Sequence, residues 1–457
     1  MKSYRQNSIL FLVSFIILFL EIALIRWVST EVRIFAYLSN FVLLASFLGI
    51  GLGCYLSQRK TYLLLSPLMV ALLVFFIKAP LNITVQGQSL HFFTNIPIFL
   101  ASFEDTVIHY QRTTAFLPLM QIVGVMATLV LFFTVFLSLF PLGQVLGRIF
   151  DSHSNTIKAY SINIFASLLG VWAFNGLSFL YAPPWVWLLC SVMLTALLMV
   201  LMKEVSWKNI LATVLSCVVI LGGLFLPALR EKSEVLTVWS PYQKLSMYPL
   251  KPYPEQVDPF KSRSAVGYTI YVNNVGYMHM HNLSSFFRRN FPSYFEKHNI
   301  YKGEAEGWNS PFNLPFLVKR DAKTALILGS GGGTDVAGAL RNGLEEIDAV
   351  EIDPGIYRMG LKYHPENPYS DPRVRVFVDD ARSFIKKCDK TYDLIYYGLL
   401  DAHAQASSMN NMRMDHYVYT KESFREAKAL LKKDGLFVVG FWVPRIWIGQ
   451  RIENLIK

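Results

Sequence analysis

One stretch combines residue types and spacings that imply chemistry, Thr324 to Pro354: TALILGSGGGTDVAGALRNGLEEIDAVEIDP. Gly329, Gly331, Gly332 and Gly333 follow the apolar run Thr324 to Leu328 at once. Glycines there allow a tight turn and let backbone N–H groups approach a ligand, while a helix beginning near Val336 presents its N-terminus to polar or negative groups. Roughly twenty residues later a second apolar run, Ala349 to Ile352, carries Glu351 at its carboxyl end. An acid so placed in an open α/β sheet can accept two hydrogen bonds from a ribose, so the stretch reads as a nucleoside site. The turn and the acid alone fit NAD, flavin and S-adenosylmethionine binders alike.

The elements that must position these groups alternate between strand and helix. Thr324–Leu328 has the pattern of a strand buried on both faces of a parallel sheet. Val374–Val378 is a further strand, ending in Asp379-Asp380, and Asp393–Tyr397 another, ending at Gly398. Thr420 can cap a helix bearing Phe424, Ala427, Leu430 and Leu431 on one face and stopped by Gly435, before a strand over Leu436–Phe441. Upstream, VLTVWSPYQKLSMYPL and GYTIYVNNVGYMHMH are aromatic, β-branched and alternating, with Asn273-Asn274 and Gly276 as turn residues. Residues 235–282 therefore read as a small antiparallel sheet ahead of the main fold.

The first half is of a different class. The chain is 53% hydrophobic and 16% charged, and residues 1–228 hold only 12 Lys+Arg and 6 Asp+Glu against 31 and 26 in the remainder. Seven runs approach the length of about 20 residues that a membrane span needs. They are Ser8–Trp27, Ala36–Leu56, Thr61–Ile77, Pro118–Phe140, Ala159–Tyr181, Pro184–Met202 and Asn209–Ala228. Glu21, with Arg26 five residues on, is an acid inside an apolar span, read either as a functional group or as half of a charge pair that fixes helix packing. Gly49, Gly51 and Gly53, and Ala166 with Gly170, read as close helix packing. Counting Lys and Arg puts the N-terminus inside, and seven spans would then put the second half outside, whereas adenosyl cosubstrates are cytosolic. The expected localisation is a multi-pass cell membrane protein with its second half in the cytoplasm and one span miscounted. Although the net charge is +11, no arginine-rich stripe with interleaved aromatics points to nucleic acid. The four cysteines lack metal-ligand spacing, so no metal site is expected.

From Gln243 to Trp442 the chain resembles the spermidine synthase family, and as a whole it resembles that family's membrane-fused relatives. SPYQKL (240–245) is similar to the S-x-Y-Q motif of the family's N-terminal sheet, GSGGG to its GGGDG, VEIDP to its V-E-I-D strand end and VDDA to its G-D-A. YDLI, YVYTKESF and LLKKDGLFVV resemble its last strands and helix, and AYSINIFASLLG a Y-x-x-N-x-x-G-A-x-x-G span of the membrane-fused relatives. The resemblance implies a multi-pass α-helical membrane domain (1–228), a small antiparallel β domain (229–310) and a Rossmann-like, class I methyltransferase domain (311–457). After Phe441 a helix-like WIGQRIENLIK stands where this fold closes with one more strand, so the domain reads as truncated or as lacking that edge strand.

The resemblance further implies S-adenosylmethionine or its decarboxylated form as cosubstrate, a small acceptor such as a polyamine, contact with the lipid bilayer, and a homodimer. Gln243, Gly329, Gly331, Gly333, Glu351 and Asp380 would hold the donor, Glu351 at the ribose hydroxyls and Asp380 at the adenine amino group. Asp401 and His403 would form an acid/base pair for the acceptor. Two family acids are missing: Gly332 stands at the Asp of GGGDG, and Gly398 at the first acid of D-x-x-D-P, where only Asp401 is kept and Ala402 replaces the proline. Proton abstraction is worth roughly 10²- to 10⁴-fold in rate, so the expectation divides. One reading is a membrane-anchored aminopropyl- or methyltransferase; the other is a lapsed nucleoside-binding module regulating a transporter-like membrane half.

Overall fold

The computed structural model of the chain describes residues 2–32, 39–85, 88–93, 96, 118–227, 236–250, 266–290, 312–400, 417–441, 443 and 446–457. The chain divides into two units, one of Met1–Lys232 and one beginning at Ser233.

The described helices of the first unit are α1 (Lys2–Glu31), α2 (Ser39–Tyr55), α3 (Leu65–Lys78), α4 (Pro118–Ser152), α5 (Thr156–Phe179), α6 (Pro184–Leu201) and α7 (Trp207–Ile220), the last prolonged by a π turn at Leu221–Phe225. A short hairpin of β1 (Asn82–Val85) and β2 (Gln88–His91) follows α3. Among the described residues five helices are long and apolar enough to cross a membrane: Tyr4–Glu31, Gln121–Ser152, Thr156–Phe179, Pro184–Leu201 and Trp207–Phe225. The second and third expected spans form shorter helices. For α3 the reason is local: Pro67 has no N–H to give and is tolerated in a first turn, so the helix starts at Leu65 and not at Thr61.

Small residues set the helix contacts. A side chain at Gly49 of α2 would lie 2.5 Å from the Phe136 carbonyl of α4, and one at Gly143 of α4 would lie 2.6 Å from the Ile50 carbonyl of α2. Gly170 of α5 stands in the same relation to the Phe15 carbonyl of α1, at 2.6 Å. These glycines let two helix backbones touch. Arg148 donates to the carbonyls of Ser57 and Arg59 in the chain just beyond α2. Arg26 donates to Ser178 Oγ at 2.6 Å and lies over the Trp187 ring, while Glu21 is buried with Oε1 lacking a partner among the described residues.

The second unit begins with a four-stranded antiparallel meander, β3 (Leu236–Trp239), β4 (Lys244–Pro249), β5 (Gly267–Val272) and β6 (Val275–His281). The turn between β5 and β6 puts Asn273 and Asn274 at φ 48° and 65°, the left-handed pair that a tight hairpin requires. Short helices α8 (Ser285–Asn290) and α9 (Leu314–Val318) are also described. The main fold then alternates: β7 (Thr324–Leu328), α10 (Thr334–Arg341), β8 (Glu346–Val350), α11 (Pro354–Tyr363), β9 (Val374–Phe377), α12 (Ala381–Lys387), β10 (Tyr392–Tyr397), α13 (Lys421–Ala429), β11 (Leu431–Val439) and α14 (Ile446–Ile456). The five strands pair in parallel in the order β11-β10-β7-β8-β9.

Burial on both faces follows from the period of two along a strand. Ala325 and Ile327 pack with Val336, Ala339 and Leu394, whereas Leu326 and Leu328 pack with Ala381, Ile385 and Phe424. Thr420 caps α13 as expected, but the helix ends at Ala429 and not at Gly435, because Leu431 already pairs with Tyr392 of β10. The second strand ends at Val350, so Glu351 stands one residue beyond it, though its N–H still bonds to the Phe377 carbonyl at 3.0 Å.

Replacing Gly143 by Leu is expected to cost about 1–3 kcal/mol through overpacking against α2. Thermal melting of the detergent-solubilised chain checks this, with Gly51→Ala, which faces open space, as the silent control.

Candidate functional site

Strand order reverses between β7 and β10, and in open α/β sheets ligands bind at the carboxyl ends of the strands at such a switch point. The glycine turn leaves β7 there. Gly329, Gly331 and Gly333 take φ of 69°, 56° and 99°, a left-handed region where a side chain is strained. The turn is tied to its neighbour strand: the N–H groups of Gly329 and Ser330 both donate to the Val350 carbonyl, at 2.9 and 3.0 Å. Tyr369 closes it from the far side, its hydroxyl donating to the Gly331 carbonyl at 2.7 Å and lying 2.8 Å from Ser330 Oγ.

Glu351 is the acid this turn meets. Its Oε2 accepts the Gly331 N–H at 2.8 Å and its Oε1 accepts the Asp353 N–H at 2.9 Å. The residue is only 5% exposed, and burial pushes its carboxyl up to about 7, more than those two N–H bonds pull it down. A carboxylate offers about four lone-pair sites, so two amides leave it capacity for further donors.

Two residues on, Asp353 is fully buried and joins the two sheets of the unit. Its Oδ2 accepts Ser240 Oγ at 2.7 Å and Gln243 Nε2 at 3.1 Å, and its Oδ1 caps α11 through Gly355 N at 2.8 Å. Gln243 is thereby brought to the end of β8. Tyr242, half exposed beside it, has its hydroxyl pushed above the usual range by burial and then by the charges of Asp353, Asp380 and Asp379. Asp380 caps α12, its Oδ1 accepting Ser383 N at 2.8 Å. The structure therefore gathers Gly329, Gly331, Gly333, Glu351 and Gln243 about the ends of β7 and β8, with Asp380 at the end of β9 near Tyr242. Asp401 and His403 lie outside the described residues.

Asp353, Tyr242 and Tyr369 are not among the site residues expected from the sequence. For Asp353 a signal existed: an acid directly before Pro354 and Gly355 is the pattern of a helix cap with proline at the first position. Tyr369 carried none, since it comes from a 3-10 turn at Pro368–Ser370 far from the glycines in sequence.

Behind the turn, Thr334 Oγ1 donates to the His279 carbonyl at 2.8 Å and lies 3.5 Å from His364 Nε2. Burial holds His281 down to about 4 and His364 down to about 3, with His279 adding to the first, and Arg341 then His281 to the second. Both imidazoles are thus neutral when folded and titrate near 6.5 when unfolded. As pH falls through 6.5 the unfolded chain binds protons that the folded one does not. Each histidine then costs about 1.4 kcal/mol of stability per pH unit, until its folded value is reached. Denaturation of the chain from pH 7 to 5 is expected to show this loss, and His364→Gln to reduce the slope by about one proton.

Residues 312–448 match the spermine/spermidine synthase domain. A polyamine aminopropyltransferase from Korarchaeum cryptofilum is 30% identical over 147 residues, which are 31% of this chain and 43% of that protein. The polyamine aminopropyltransferase of Pectobacterium atrosepticum is 28% identical over 130 residues, 28% of this chain and 42% of that protein. The chain thus spans about two-fifths of the length of these curated relatives. Among solved structures, spermidine synthase from Thermotoga maritima aligns over 49% of this chain and 63% of its own, with 16% identity and a TM-score of 0.33. A spermidine synthase in complex with the transition state analogue AdoDATO aligns over 49% and 62%, with 16% identity and a TM-score of 0.32.

Proposed function

We propose that the spermidine synthase-like second unit binds an adenosyl sulfonium donor, decarboxylated S-adenosylmethionine, and transfers its aminopropyl group to a small amine, on a chain anchored by its apolar N-terminal helices. The observation that carries this reading is Glu351: a dry carboxyl beside a glycine turn at the switch point of a parallel sheet, held by backbone amides and, among the described residues, by no cation. A ribose diol donates two hydrogen bonds, and Glu351 keeps lone pairs for them. In this reading Gly329, Gly331 and Gly333 let the donor's sugar and sulfonium arm approach the backbone. Asp380 faces the adenine amino group, Tyr242 borders the base, and Gln243 completes the wall by way of Asp353. Asp401 and His403 are assigned to the acceptor end.

The names of the aligned relatives favour aminopropyl over methyl transfer, and polyamines as the acceptor class. They also weigh against a lapsed module that only regulates the membrane helices. The five apolar helices support a membrane anchor, and a cytosolic donor favours the cytoplasmic side for the transferase unit.

Calorimetry with methylthioadenosine tests the nucleoside site. Because Glu351 is held up to about 7 and ribose hydroxyls bond to its ionised form, binding is coupled to loss of its proton. Affinity is expected to rise about tenfold per pH unit up to pH 7 and level off above it. Glu351→Gln is expected to bind roughly 10- to 100-fold more weakly, with the pH dependence gone. Equal binding of methylthioadenosine by wild type and Glu351→Gln would remove the ribose assignment. Separately, the chain is expected to stay with the membrane fraction after alkaline carbonate extraction.

A further inference from the structure

An amine that arrives protonated must give up a proton before its lone pair can attack. The two glycines that replace family acids give no room for such a proton acceptor. A Cβ at Gly398 would meet the Gly329 carbonyl at 2.6 Å and the Leu328 carbonyl at 3.2 Å. A Cβ at Gly332 would meet Met280 Cγ and Sδ at 2.7 Å, in a core where Met280 is fully buried and Met278 Sδ already accepts the Gly332 N–H.

Another acid reaches the first of these places from the helix side. Asp335, on the first turn of α10, puts Oδ2 3.4 Å from where the Gly398 Cβ would stand, at the carboxyl ends of β7 and β10. Its Oδ1 is sealed from solvent and has no hydrogen-bond partner among the described residues. A buried acid within the sheet itself is treated differently: Asp348 is bonded by Arg375, Lys390 and Tyr392 together. A structural acid in a dry site is paired, because leaving a charge there without a partner is strongly unfavourable. Asp335 is met only by the Tyr396 hydroxyl and the more distant charge of Arg341, its Oδ1 is left bare among the described residues, and it sits at the switch point of the fold.

We propose that Asp335 is the proton acceptor for the amine, the carboxylate this chain uses at the end of β10. The inference rests on the transferase reading above. In the step, Asp335 takes a proton from the acceptor ammonium; the freed nitrogen lone pair forms a C–N bond to the donor carbon next to sulfur. The C–S bond breaks, its electron pair stays on sulfur, and methylthioadenosine leaves as a neutral thioether. Around Asp335 stand Tyr396 of β10, whose hydroxyl bonds to it, Arg341 further along α10, and Tyr369 beside the glycine turn. Burial, opposed by Tyr396 and Arg341, holds the Asp335 carboxyl up to about 7, a suitable range for a general base.

The test uses the full chain in detergent with decarboxylated S-adenosylmethionine and putrescine as probes, reading methylthioadenosine release at saturating donor, so that Glu351 ionisation does not enter. Asp335→Asn is expected to lower kcat by about 10²- to 10⁴-fold, with methylthioadenosine affinity and melting temperature kept. Tyr396→Phe removes a donor to the ionised form, so the acidic limb of kcat is expected to move to higher pH, a change that a structural role would not cause. An active wild type with near-native turnover in Asp335→Asn, or with a Tyr396→Phe profile superimposable on its own, overturns the assignment and leaves the transferase reading standing. An Asp335→Asn chain that melts well below wild type makes the residue structural and overturns it too. A wild type that releases no methylthioadenosine overturns the reading and this inference with it.

Discussion

A carboxyl group taken out of water must find donors, and in this chain Glu351 finds them in backbone amides: Gly331 across the turn and Asp353 on its own strand end. That one requirement ties β7 to β8 at the point where a ligand would sit. It demands that the turn after β7 run close enough for an N–H to reach a side chain of the neighbouring strand, and the positive φ angles of Gly329, Gly331 and Gly333 are what bring it there. It also couples the turn to the small sheet, because Asp353, which gives Glu351 an N–H, accepts from Ser240 and Gln243 with its own side chain.

The acids of the unit fall into two groups by how their charge is met. Burial works against Asp348 and Asp393, yet Arg375, Lys390 and Tyr392 in the first case, and Lys432, Thr324 and Lys323 in the second, hold both below the usual carboxylate range. They are sheet fasteners, charged at any pH of interest. Among the described residues Glu351 has no cation partner, and at Asp335 burial outweighs the charge of Arg341, so both are held near 7, where a proton can be exchanged. Asp353, also buried without a cation among the described residues, is met by Ser240, Gln243 and the Gly355 amide instead, while Glu351 and Asp335 stand at the carboxyl ends of the strands.

The N-terminal unit solves a different problem with different residues. There the helix backbones touch, and Gly49, Gly143 and Gly170 make those contacts. These glycines owe their place to lack of volume, while those of the turn at 329–333 owe theirs to backbone angle. Composition alone does not separate the two uses.

What the sequence by itself determined was the alternation of strand and helix, the place of the turn, the position of Glu351 and the apolar class of the first half. These follow from local periodicity, and periodicity is written in consecutive residues. The strand Thr324–Leu328, the Asn273-Asn274 hairpin and the Thr420 cap were all legible for that reason. What only the tertiary structure decided was which groups share the site. Asp353, Tyr242, Tyr369 and Asp335 come to it from a helix cap, another sheet, a 3-10 turn and a helix face, and no spacing announces such meetings. Nor does the sequence tell a missing acid from a filled one. Gly332 and Gly398 read as losses in the chain; in the fold, thioethers of Met278 and Met280 occupy the first place and the Asp335 carboxylate stands beside the second. Close packing lets a side chain distant in sequence take up space that a local substitution has given away.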